Sequence, residues 1–173
     1  MRIVFLDMDG VLNSADYFDS NPKLDPDTAT APDTKDLGWW TRMVNPEQVK
    51  LLNEIIQATE AKVVISSSWR YHCDAERMQE VLDAQGFKGE VISRTPRQTE
   101  NGDLIQIART RGHEIELWLV ENKHLEIESF VILDDMGPGA FAHMAPYLVR
   151  TSWANGLQEH HIKAAIDMLQ TAG

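Results

Sequence analysis

The sequence predicts an α/β fold with a parallel sheet flanked by helices. Three observations carry this. Short β-branched or aromatic runs end in polar residues at three places: residues 3–6 before Asp7, residues 63–65 before Ser66-Ser67-Ser68, and residues 130–133 before Asp134-Asp135. The segments between them carry apolar residues at helical spacing. Strand and helix alternate, as in a parallel sheet, where ligands sit outside the carboxyl ends of the strands.

In chain order, residues 3–6 form the first strand. Residues 14–45 then break the pattern, with Asp16, Asp19, Asp25, Asp27, Asp33, Asp36 and three prolines, and few apolar residues before Trp39-Trp40. A stretch this long without a clear period is expected to be a cap or lid over the carboxyl edge, or else an acidic surface insertion. Pro46 behind Asn45 marks a helix start, and Val49, Leu52, Ile55 and Ile56 mark its apolar face. After the strand at 63–65, Asp74 caps a helix carrying Met78, Val81 and Leu82 that stops near Gly86. Val91-Ile92 and residues 147–149 are weaker strand candidates. Ile115, Leu117, Trp118 and Leu119 form a helix after Gly112, and Ile162, Ala165, Ile166 and Leu169 form the last one. Residues 1–173 are expected to be a single domain, with 14–45 as its insertion.

The chain has 16 Lys plus Arg against 27 Asp plus Glu, a formal net charge of −11. That balance opposes broad adhesion to nucleic acid or anionic membrane. No apolar stretch approaches the roughly 20 residues of a membrane span. A single cysteine, Cys73, rules out an internal disulfide and points to a reducing, cytoplasmic setting.

Asp7-Met8-Asp9-Gly10 places two carboxylates at a strand end, and Gly10 lets the backbone turn. One carboxylate suits a nucleophile and metal ligand, the other a general acid and base. Asp134-Asp135 ends a second strand at the same edge and adds hard oxygen ligands suited to magnesium. Clustered carboxylates repel each other unless a cation neutralises them. The serines of Ser66-Ser67-Ser68-Trp69-Arg70 suit phosphate oxygens. The Gly-rich nucleotide loop ending in Gly-Lys is absent, which opposes a kinase of that class. A phosphoacceptor signalling domain would need its acidic pair on the first strand and a lone Asp in mid-chain, and the order here differs.

These segments together resemble the haloacid dehalogenase (HAD) superfamily of phosphohydrolases: an apolar strand before Asp-x-Asp-Gly (5–10), a strand ending in Ser (63–67), a basic residue at a helix start, and a strand ending in an acidic pair. Arg111 fits the basic position, with Arg109 as a rival. Asp-Gly-Val-Leu-Asn, Ser-Ser-Ser-Trp-Arg and Arg-Gly-His-Glu-Ile-Glu-Leu-Trp-Leu further resemble the HAD-like modules of multidomain RNA-repair proteins. The resemblance implies a Rossmann-like (HAD-type) sheet and a Mg2+-dependent phosphatase working through an aspartyl-phosphate. Asp7 would attack phosphorus, and Asp9 would protonate the leaving oxygen and then activate water. Ser67, or Ser68 in the other register, would hold a phosphate oxygen, and Arg111 would offset phosphoryl charge. Magnesium would sit between Asp7, the backbone carbonyl of Asp9, and Asp134 or Asp135. Arg70 is open between substrate contact and pairing with a carboxylate. The expected substrate is a small phosphomonoester, such as a nucleotide. The alternatives are a polynucleotide end in nucleic-acid repair, which the net charge does not favour, and a catalytically idle phosphate-binding member. Arg94, Arg97, Arg109 and Arg111 make one locally basic stretch for such a ligand.

Overall fold

The computed structural model describes residues 1–24, 36–96 and 110–171. Among these, five strands form one parallel sheet: β1 (Arg2–Leu6), β2 (Lys62–Ile65), β3 (Val91–Arg94), β4 (Ser129–Asp134) and β5 (Leu148–Arg150), in the order β3-β2-β1-β4-β5. β1, the first strand made, is central. Leu6 pairs with Ile65 on one side and with Leu133 on the other, so the polar residues that follow come out side by side. The last strand lies one residue later than residues 147–149, because Tyr147 ends a 3₁₀ turn over Ala142–Tyr147.

The α-helices among the described residues are α1 (Ala15–Ser20), α2 (Leu37–Arg42), α3 (Pro46–Thr59), α4 (Ala75–Asp83), α5 (Arg111–Glu121) and α6 (Glu159–Gln170). The expected caps form: the Asn45 side chain accepts from the Glu47 N–H (3.0 Å) and that of Asp74 from the Arg77 N–H (2.8 Å). Side chains alternate across the sheet. Val4, Leu6, Val63, Ile65, Val131 and Leu133 meet the apolar faces of α3, α4 and α6. Ile3, Phe5, Val64 and Ile132 meet Ile115 and Trp118 of α5, with Phe141 and Met144. Gly112 lets α5 pack closely on the segment after β4, since a Cβ there would collide with the Phe141 carbonyl. The segment 14–45 is more structured than its sequence suggests, because α1 and α2 are short helices capped by Ser14 and Asp36. Residues 25–35 of it, with Asp25, Asp27 and Asp33, lie outside the described residues. No described helix is long and apolar enough to cross a membrane.

Candidate active site at the carboxyl edge

One residue past the Leu6 pairings, Asp7, Ser66 and Asp134 form the next row across three strands. The Asp7 N–H donates to the Leu133 carbonyl (3.0 Å) and the Ser66 N–H to the Leu6 carbonyl (2.8 Å). By strand alternation this row lies on the face that α5 covers, and Arg111 at the start of α5 meets it. The Arg111 Nη1 lies 3.4 Å from Asp7 Oδ1 and 3.3 Å from Asp134 Oδ2, and donates to the Ser66 carbonyl. Thr110 caps the helix by accepting from the His113 N–H (3.3 Å), which sets the first turn and so aims Arg111.

Asp7, Asp134 and Asp135 each offer an oxygen within 4.8 Å of the others. Asp7 is 6% exposed and Asp134 fully buried. Burial, then the charge of Asp134, push the Asp7 carboxyl up to about 8, against the opposing pull of Arg111 and of the Met8 N–H. Burial also raises Asp134 and Asp135, with Arg111 opposing at Asp134. Burial works against the charge on Arg111, but the carboxylates of Asp7, Asp134 and Glu114 outweigh it and raise its pKa. Three carboxylates thus cluster where Arg111 pairs with two, Asp7 and Asp134, and Arg150 acts on the third, Asp135. This excess of clustered hard oxygens is a donor set that fits a divalent cation such as magnesium. Gly10, at φ +78°, makes room for it: a Cβ there would run into the Asp135 carboxylate.

Asp9 stands apart from the three. Its Oδ1 accepts from Asn13 Nδ2 (2.9 Å) and its Oδ2 from Trp69 Nε1 (3.1 Å). Among the serines, the Ser67 hydroxyl caps the turn Ser68–Tyr71 by accepting from the Trp69 N–H (3.2 Å), and Ser68 is exposed. Ser66, the serine of the three that the resemblance does not single out, stands differently. Its Oγ is buried with no hydrogen-bond partner among the described residues, in the row with Asp7. Arg70, open in the sequence between substrate contact and pairing with a carboxylate, is 2% exposed and pairs with Glu114 at 2.7 Å, and its Nη1 donates to the Ser67 carbonyl (2.8 Å). Glu114, also unforeseen, shares a helical face with Arg111, Ile115 and Trp118, which is the signal that reveals it. Arg94 donates to the carbonyls of Arg70 (2.7 Å) and Cys73 (3.1 Å). Arg97 and Arg109 lie outside the described residues.

The family model for the HAD domain in Swiss Army Knife RNA repair proteins matches residues 3–162. The chain belongs to that family. The match runs from within β1 through the other four described strands into α6, so the row of Asp7, Ser66 and Asp134 lies within it. No curated protein and no solved structure gives a significant match. As a HAD domain, the chain sits in a superfamily of phosphohydrolases. A cavity of about 440 Å³ opens beside the HAD site, lined by Arg70, Tyr71, Arg111, Glu114 and Met136 among others. A larger one, about 550 Å³, lies at the opposite end of the sheet around Ser129, Phe130 and Tyr147, away from the carboxylates.

Proposed function

We propose that this HAD domain is a magnesium-dependent phosphatase acting on a phosphomonoester, with Asp7 as nucleophile and Asp9 as general acid and base. The supporting observation is the row of Asp7, Ser66 and Asp134 on one face, met from α5 by Arg111. Asp7 attacks phosphorus, and the bond from phosphorus to the leaving oxygen breaks as Asp9 gives that oxygen a proton. Asp9 then takes a proton from water, whose oxygen attacks the aspartyl-phosphate, releasing phosphate and restoring Asp7. Asp7, Asp134 and Asp135 would hold magnesium, which supplies the positive charge that lets an anionic nucleophile approach an anionic ester. Arg111 offsets charge on the phosphoryl oxygens. Ser66 has the free hydroxyl nearest in register to hold one of them, whereas the Ser67 hydroxyl is engaged as a cap.

The substrate proposed is a nucleotide-like phosphomonoester. A polynucleotide end is the second reading, favoured by the family's occurrence in RNA repair proteins. Phosphate release from an aryl phosphate is expected to fall at least about 10³-fold in Asp7→Asn, with the protein still folded, and to stop on chelation of divalent metal. Full activity in that variant would exclude the mechanism. Rates on nucleoside monophosphates and phosphorylated oligonucleotides, compared at two salt concentrations, separate the two substrates, since contacts along a polynucleotide weaken steeply with salt.

A further inference from the structure

Both oxygens of the Asp9 carboxylate are occupied, and by donors from different parts of the chain. Asn13, 1% exposed, is itself locked: its Nδ2 also donates to the Met43 carbonyl (3.1 Å), and its Oδ1 accepts from the Gly10 N–H (3.1 Å). The indole of Trp69, 6% exposed, packs on Trp40 of α2 with ring centres 4.8 Å apart, and Trp40 packs edge-on against Trp39 at 4.9 Å. A carboxylate at a strand end has two free torsions, and a single donor leaves its plane free to turn. Two donors from rigid supports fix both the position and the plane of the carboxylate.

We propose that Trp69 and Asn13 are positioning residues that clamp Asp9 so that one defined carboxylate oxygen meets the leaving oxygen of the ester. The proposal rests on the phosphatase reading above. Through Trp40, the clamp also rests on the segment inserted after β1, so α2 supports proton delivery without touching the reacting atoms. Proton delivery matters most when the leaving group is a poor one: an alkoxide needs the proton as its bond to phosphorus breaks, whereas a nitrophenolate leaves nearly unaided.

The test is kcat/KM for Trp69→Phe, which keeps an aromatic ring but loses the N–H, on an alkyl phosphate and on p-nitrophenyl phosphate. This ratio reports only steps up to formation of the phosphoenzyme. The expected result is a fall of about 10–100-fold on the alkyl ester and less than about fivefold on the nitrophenyl ester. A structural role alone would lower both equally, and equal losses or no loss would overturn the clamp. Asn13→Ala removes the donor to the other oxygen and should show the same bias, so it carries the test if Trp69→Phe does not fold. Melting temperatures establish which variants are folded. Wild-type protein that turns over neither ester would overturn the phosphatase reading and the clamp with it, whereas turnover with unbiased losses would overturn the clamp alone.

Discussion

Around the start of α5, two clusters of buried charge lie side by side and are balanced differently. Arg70 and Glu114 form a pair of one cation and one anion, with side chains 2% and 5% exposed. Asp7 and Asp134 share the guanidinium of Arg111, and Asp135 brings a third carboxylate within 4.8 Å of both, with Arg150 near it at the rim. A matched pair out of water balances its charge, although burial still raises the Glu114 carboxyl and lowers Arg70, and removing one partner strands the other's charge. An unmatched cluster is unsettled until a cation arrives. The first arrangement suits a scaffold, and the second suits a site that must take up charge.

The comparison predicts that losing a carboxylate has opposite effects on stability in the two clusters. Glu114→Ala leaves Arg70 buried and unpaired and should cost about 3–5 kcal/mol, read as a melting temperature lower by about 10 °C. Pairing it with Arg70→Met should recover much of that loss. At the other cluster the sign reverses. The carboxyl of Asp7 is raised to about 8 in the folded protein, so folding disfavours its ionised form. Metal-free stability therefore falls as pH rises from about 4, where an unfolded Asp ionises, to about 8. Asp7→Asn removes that burden and should leave the metal-free melting temperature at pH 8 unchanged or higher. Equal destabilisation by both changes would break the distinction.

A smaller effect sharpens the picture within the row itself. Ser66→Ala is expected to lower kcat/KM about tenfold with little change in stability. Ser67→Ala should act chiefly through its lost cap, costing about 1 kcal/mol of stability. The reverse pattern would move the phosphate contact from Ser66 to Ser67.

Much of this was legible in the sequence, because the apolar runs ending at Leu6, Ile65 and Leu133 predict where each strand stops and hence which polar residues gather. Choosing among three consecutive serines was not, since only pairing across strands puts Ser66 in the row with Asp7. The partner of Arg70 stands 44 residues away in sequence, and nothing local to Arg70 announces it. Glu114 falls on the helical period of Ile115 and Trp118, but an acidic residue on an apolar stripe does not by itself name its partner. The helices α1 and α2 escaped because six residues show no full apolar period, and caps and tertiary contacts hold them.

The central claim is that Asp7 belongs to a carboxylate cluster needing a divalent cation. Calorimetric titration of Mg2+ into the substrate-free protein at pH 6, 7 and 8 tests it directly. Below about pH 8, Asp7 holds a proton that the metal must displace. Affinity should therefore rise about tenfold from pH 6 to 7 and about fivefold from pH 7 to 8, with close to one proton released per ion bound at the acid end. Affinity independent of pH without proton release, or no binding at any of the three pH values, would contradict the account.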